Sequence, residues 1–259
     1  MYQVKAVITD HKLLGSGYHL LNLLAADVAE VAQPGQFVQL RVMEGNEPLL
    51  SRPISIYHFD ADSSSITLIF KVVGKGTDLL AKRNPGEIIE LLGPLGNGFA
   101  LPETAQRVAL VAGGVGMPPL YCLAEKLIRK GSKVKFSLFY GGRTRTDLLE
   151  LNAWERLKVK IFPMTDDGSY GKAGLVTEAF LAEHQRAPFD FVVTCGPQPM
   201  LKAVQQLALA SNLSGQLSLE AHMACGVGAC LGCVCKTTSG YQRVCVEGPV
   251  FGISEVLWE

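Results

Sequence analysis

The feature that most constrains this chain lies near its carboxyl end: Cys225-Gly226-Val227-Gly228-Ala229-Cys230-Leu231-Gly232-Cys233-Val234-Cys235, with Cys245 ten residues further on. Five of the seven cysteines fall between Cys225 and Cys245. A secreted disulfide framework spreads its cysteines along a short chain. Clustering at one end of 259 residues favours a metal or iron–sulfur site instead. Cys225, Cys230 and Cys233 follow C-x4-C-x2-C, the spacing that grips a [2Fe–2S] cluster together with a distant fourth cysteine. Cys245 is the expected fourth ligand, with Cys235 as its competitor. Cys235 stands only two residues from Cys233, whereas a ligand from a following strand closes the site from the other side. Gly226, Gly228 and Gly232 suit a loop that needs positive φ angles and backbone N–H groups close to sulfur. Four thiolates also suit zinc, but zinc motifs usually show two C-x2-C pairs, and only Cys230/Cys233 forms one. Cys122 and Cys195 stand alone, as buried free thiols do.

Such a tail needs a folded body. Hydrophobic residues make up 48% of the chain and charged residues 19%, enough to bury a sizeable core. Lys plus Arg and Asp plus Glu are each 24, so charge offers no case for nucleic acid or an anionic membrane. Met1 to Lys5 shows no basic region leading into an apolar run. The uncharged stretches 108–124 and 203–219 are broken by glycine and proline or by polar side chains. A soluble, cytoplasmic protein without a membrane span is expected.

The body divides by pattern. Val38, Leu40 and Val42 alternate with Gln39 and Arg41, as in a half-buried strand, and 66–73 and 87–92 are similar runs. Pro34-Gly35, Asn46 to Pro48 and Pro85-Gly86 punctuate them as turns. Residues 1–101 therefore read as a small antiparallel β-barrel. From 102 to 214 strands and helices alternate, predicting a parallel α/β domain: strands at 107–112, 133–140, 159–163 and 189–195, helices at 120–130, 152–157, 175–184 and 199–210. Residues 215–259 form a small third unit around the cysteines.

Two strings on the barrel suit a phosphate-bearing ligand. Ser51-Arg52-Pro53-Ile54-Ser55 sits on a predicted strand, and a guanidinium fork matches phosphate oxygens. Val73-Gly74-Lys75-Gly76-Thr77 opens a predicted helix, where N–H groups favour phosphate. Arg-Pro-x-Ser resembles the flavin signature of the ferredoxin reductase superfamily. The resemblance implies FAD, with Arg52 on the pyrophosphate, Ser55 beside the isoalloxazine ring, and Pro53, Ile54, Ile69, Phe70, Lys71, Gly76 and Thr77 around it. The superfamily usually has a tyrosine where this chain has Ile54; Tyr57 is a possible substitute. Gly93-Pro94-Leu95-Gly96 matches a structural turn that closes the superfamily's barrel.

The α/β part carries the complementary signals. Gly113-Gly114-Val115-Gly116-Met117-Pro118 follows a strand and starts a helix, resembling the superfamily's pyrophosphate loop. Cys195-Gly196-Pro197 resembles its loop beside the nicotinamide. Gly113, Gly114, Gly116, Cys195 and Gly196 are thus the expected NAD contacts. Asp166 favours NADH, while Arg143 and Arg145 could hold a 2′-phosphate; the subfamily resemblance tips the reading to NAD.

The strings 223–234 and 244–251 look most like the electron-transfer subunits of type B dihydroorotate dehydrogenases. This resemblance covers nearly the whole chain. It implies an oxidoreductase subunit in pyrimidine biosynthesis that carries FAD and [2Fe–2S]. The subunit takes electrons from an FMN-containing catalytic subunit and delivers them to NAD⁺, usually within a heterotetramer, and it contributes no acid or base of its own. Two alternatives share some of these features: the reductase subunit of an NAD(P)H–ferredoxin transhydrogenase, sulfhydrogenase or sulfite reductase, and a non-catalytic interaction module with a zinc-bound tail.

Overall fold

Alternating apolar residues in the first part of the chain produce six strands that close on themselves. The structure, a computed structural model, describes residues 1–42 and 48–258; the turn expected at Asn46 to Pro48 lies largely outside the described residues. The strands are β1 (Tyr2–Gly15), β2 (Tyr18–Leu24), β3 (Phe37–Arg41), β4 (Arg52–Asp60), β5 (Ser65–Lys71) and β6 (Ile88–Leu95). They pair antiparallel in the order β1-β2-β5-β4-β3-β6 and close as a barrel, so no edge is left unpaired. Ile8, Leu21, Leu23, Val38, Leu40, Ile56, Ile66, Leu68, Ile89 and Leu91 fill its interior. A short helix that the strand pattern did not anticipate, α1 (Ala26–Val31), packs Val28 and Ala29 onto the same core. Helix α2 (Lys75–Ala81) follows β5.

Apolar runs without alternation then build a sheet buried on both faces, as parallel sheets are. Its strands are β7 (Arg107–Gly113), β8 (Lys135–Gly142), β9 (Lys160–Thr165), β10 (Lys172–Ala173), β11 (Phe191–Cys195) and β12 (Gly215–Ser218). Helices α3 (Met117–Arg129), α4 (Leu151–Arg156), α5 (Val176–Arg186) and α6 (Gln198–Ala210) connect them. Pro118 and Pro119 sit in the first turn of α3, where a missing N–H costs nothing. The hairpin β13 (Val234–Thr237) and β14 (Gly240–Arg243) stands apart, and β15 (Val250–Gly252) returns to the large sheet.

The sheet order is β10-β9-β8-β7-β11-β12-β15, parallel except for β15, which runs antiparallel to β12. The chain leaves β7 in one direction for β8 to β10 and later returns on the other side for β11 and β12. The switch point therefore lies between β7 and β11, where open α/β sheets bind ligands. Gly215–Ser218, which the sequence pattern assigned to the cysteine unit, extends the parallel sheet beside β11. A side chain at Gly215 would run into the Val192 carbonyl, so glycine permits that close pairing. No helix among the described residues is long and apolar enough to cross a membrane.

Polar groups pin the barrel to the sheet. Tyr18 donates its hydroxyl hydrogen to Asp147 Oδ1 at 2.6 Å, and Lys71 Nζ donates to both, at 3.0 and 3.2 Å. Nearby, His58 Nδ1 meets the buried Glu125 carboxylate at 2.5 Å, and Arg129 reaches the same carboxylate at 3.0 Å. Tyr57 stacks on Tyr121 with centroids 4.5 Å apart, and Tyr121 meets Trp154 edge-on. Burial raises the Asp147 carboxyl, but the Tyr18 hydroxyl and the Lys71 ammonium outweigh it and hold the group below the usual carboxylate value. A depressed folded value stabilises above the unfolded pKa of about 3.9 and is lost as pH falls through the folded value. Asp147→Asn is expected to cost about 1–2 kcal/mol, discounted because Lys71 is partly exposed. Urea titration should show a lower midpoint at pH 7 and a gap from the parent that narrows below about pH 4.

Candidate functional site

Strand β4 presents Arg52, Pro53, Ile54 and Ser55, and β5 presents Ile69, Phe70 and Lys71. Together with Thr77 all of these line one cleft of about 490 Å³. Val115 of the glycine loop, the segment Ser218 to Met223 and Pro249 supply its other walls. The cleft thus receives all three parts of the chain. Its apolar walls and few polar groups suit a flat aromatic ring with a charged tail. A side chain at Gly76 would overlap the Arg52 guanidinium, so the glycine admits that group to the start of α2. Arg52 also donates to the Leu50 carbonyl. The Thr77 hydroxyl accepts from the N–H groups of Val73 at 2.9 Å and Gly74 at 3.2 Å, and donates to the Gly74 carbonyl at 3.0 Å. It therefore shapes the turn. Tyr57 is buried against Tyr121 and is not among the residues lining the cleft, so Ile54 alone occupies that part of the wall.

The glycine loop and the Cys195 loop meet at the switch point. A side chain at Gly116 would overlap the Cys195 carbonyl, and one at Gly196 would come within 2.9 Å of the Gly113 nitrogen. Tyr140 braces the loop by donating to the Gly114 carbonyl at 3.1 Å. Gly113, Gly114, Gly116, Cys195 and Gly196 are therefore together, at the ends of β7 and β11, with Val115 reaching the cleft. Burial of Cys195, 2% exposed, pushes its thiol up and makes it a poor nucleophile. Asp167 closes its own turn by accepting from Ser169, whereas Arg143 and Asp166 are exposed at the ends of β8 and β9. A second cleft of about 470 Å³ lies among Arg107, Lys135 and Lys160, at the opposite ends of the same strands, and holds none of the expected residues.

The cysteine loop packs against the outside of the barrel. Cys233 and Cys245 are buried in one apolar cluster with Phe37, Leu95 and Met223. The cysteines group by twos: the Cys230 N–H reaches Cys225 Sγ, and the Val244 N–H donates to the Cys233 carbonyl at 3.0 Å, which brings Cys245 beside Cys233 in the apolar cluster. Two pairs are what a binuclear centre asks for, two thiolates to each iron. No three Cys, His, Asp or Glu side chains among the described residues converge on a single ion position. Cys235 lies on β13, partly buried, with its backbone paired to Gln242. Burial works to raise the Cys225 thiol, but the N–H groups of Cys230, Val227 and Ala229 outweigh it and bring it down to about 6. Burial and the neighbouring Cys233 push Cys245 up to about 12. Cys230 N–H points at Cys225 Sγ, and Gly232 N–H at Cys230 Sγ, both at 3.4 Å. Gly226 and Gly228 take positive φ as expected. Gly232 does not, and Leu231 takes it instead, at 56°. Arg243 pairs with Glu247 and donates to the Gly228 carbonyl at 3.3 Å, tying the loop to the strand before Cys245.

Ser218 to His222 carries no site signal in the sequence, and Met223 enters only as the start of the cysteine string. The segment has neither periodicity nor a motif, and only its place between β12 and the cysteines marks it. Glu220 lines the cleft, and desolvation by its walls raises its carboxyl.

A closed antiparallel barrel joined to a parallel sheet with a glycine loop at its switch point defines a reductase of the ferredoxin–NADP type. A structure of an NADH-dependent reduced ferredoxin–NADP oxidoreductase superposes over 98% of this chain and 90% of its own, with TM-score 0.88 and 28% identity. The ferredoxin reductase of carbazole 1,9a-dioxygenase shares the fold at TM-score 0.68 and 22% identity over 82% of this chain and 66% of its own. The family model for the iron–sulfur cluster binding domain of dihydroorotate dehydrogenase B matches residues 220–257, and that for the oxidoreductase NAD-binding domain matches 110–206. The dihydroorotate dehydrogenase B (NAD(+)) electron transfer subunit of Geobacillus sp. (strain WCH70) is 41% identical over 99% of both chains. Its counterpart in Desulforamulus reducens is 38% identical over 91% of this chain and 90% of its own. The chain belongs to the family of dihydroorotate dehydrogenase B electron transfer subunits.

Gly76→Ala places a methyl group where Arg52 now lies. Fluorescence titration of the apoprotein with FAD should show at least about tenfold weaker binding, about 1.4 kcal/mol, with the far-ultraviolet spectrum unchanged.

Proposed function

We propose that this chain is the NAD-linked half of a two-part dihydroorotate dehydrogenase in pyrimidine biosynthesis, working with an FMN-containing catalytic subunit in a heterotetramer of two of each. The observation that carries the reading is the cleft itself. The Arg52–Ser55 strand, the glycine loop through Val115 and the lead-in to Cys225 all wall one cavity. When bound, the flavin and the [2Fe–2S] cluster supply the redox chemistry, converting the paired electrons of a hydride on NADH into single electrons and the reverse.

The chain's residues position and insulate. Arg52 and the start of α2 hold the flavin pyrophosphate, while Pro53, Ile54, Ser55, Ile69, Phe70 and Lys71 flank the ring. Gly113, Gly114, Gly116, Cys195 and Gly196 leave room for the NAD phosphates and the nicotinamide. Cys225, Cys230, Cys233 and Cys245 would hold the cluster; the burial of Cys245 with Cys233 in one apolar cluster supports Cys245 over Cys235. Residues 1–101, 102–214 and 215–259 serve flavin, nicotinamide and cluster in turn, with the pairing of β12 to β11 tying the last two together. Val227, Leu231 and Val234 are exposed around the cluster loop and suit an apolar partner surface. A cytoplasmic location fits this reading, because thiolates clustered for iron–sulfur ligation suit a reducing compartment.

Anaerobic co-purification with the FMN subunit should yield a brown complex that oxidises NADH in the presence of orotate. Colourless, zinc-containing protein would defeat the proposal. Cys245→Ser should lose most of the iron and acid-labile sulfide, and Cys235→Ser should keep both; the reverse pattern would move the fourth ligand to Cys235.

A further inference from the structure

Gln39 lies on β3, where strict alternation predicts a solvent-facing side chain. It is only 3% exposed. The β3–β6 ladder is bulged between Phe37 and Gln39, with an extra residue on β6. Among the described residues the Gln39 Nε2 has no hydrogen-bond partner. A buried amide N–H left in that state is costly, and folded proteins normally supply an acceptor.

What covers this amide is the cysteine loop. A Cβ on Gly226 would stand 2.6 Å from Nε2 and 2.8 Å from Cδ of Gln39. Only a glycine, here at φ +70°, lets the residue after Cys225 settle on that spot. On the other side, the Gln39 backbone pairs with Pro53, which lines the flavin cleft. Gln39 thus stands between the cleft and the loop, with a free donor and no acceptor of its own.

We propose that Gln39 donates its amide N–H into the cluster site, to sulfur at the Cys225 side of the loop, and thereby eases one-electron reduction of the cluster. This rests on the cluster reading above. Four thiolates make the bound centre anionic, and that charge selects the N–H end of the amide. Reduction adds one more negative charge, so a fixed donor stabilises the reduced form more than the oxidised form. The acceptor that Gln39 lacks is then the group the loop exists to hold.

The test is an EPR-monitored redox titration of the holoprotein. Gln39→Met keeps the length and removes the donor, while Gln39→His keeps an N–H. With iron and sulfide content intact, Gln39→Met should shift the reduced-to-oxidised ratio at a given potential about tenfold toward oxidised, about 59 mV for one electron. Gln39→His should stay within about twofold of the parent. A Gln39→Met protein that holds its cluster at the parent's potential overturns the assignment while leaving the cluster reading standing; a parent protein without iron removes both. If neither variant loads iron, electron spin-echo modulation decides. It is measured on protein ¹⁵N-labelled at glutamine side-chain amides, in a Gln242→Met background that silences the hairpin glutamine. A coupled amide nitrogen supports the bond, and its absence overturns it.

Discussion

The pairing of β15 with β12 holds the rest of the arrangement together. Val250 to Gly252 run antiparallel to Gln216 to Ser218, so the chain that leaves the parallel sheet for the cysteine loop must return to the same edge. The loop cannot drift. It is trapped between the sheet edge and the outer face of β3 and β6, where Phe37 and Leu95 join Met223, Cys233 and Cys245 in one apolar cluster. Anchoring at both ends lets a short, glycine-rich segment with little regular structure place its thiols in two pairs.

That tether also shapes the cleft. The segment entering the loop, Ser218 to Met223, becomes a wall of the cavity whose other sides are the flavin strand and the glycine loop. Lys71, Tyr18 and Asp147 close the opposite seam and bring the barrel within reach of the switch point between β7 and β11. Lys71, read from the sequence only as a flank of the flavin, therefore also locks two units together. Near the expected chemistry Cys195 is buried with its thiol pushed up, the Thr77 hydroxyl serves its own turn, and Lys71 is engaged with Tyr18 and Asp147. Such a site positions cofactors and excludes water; the proton and electron chemistry belongs to the groups it holds.

Much of the fold was legible because its periodicities are strong. The strands from Arg107 to Cys195 and the helices between them fall close to where unbroken apolar runs and helical spacing put them. Short or oddly capped elements escaped. Helix α1 has six residues and no side-chain cap, and β12 is four residues starting at a glycine. Gln39 was misplaced for a different reason. Alternation reports which face of a strand avoids the barrel interior, and it cannot report that a segment nearly two hundred residues later will cover the other face.

The sequence by itself determined the local chemistry: the cysteine spacing, Arg52 with Ser55, the glycine turns, and a barrel-then-sheet order. Each is encoded within a few neighbouring residues, by ligand spacing, by backbone freedom or by side-chain period. Only the tertiary structure decided which of these meet. The burial of Cys245 beside Cys233, the wall formed by Ser218 to Met223, the Arg52–Gly76 contact and the burial of Gln39 all depend on long-range packing. Such contacts follow from closing a barrel and a sheet around shared apolar surface, and no local pattern in the chain records them.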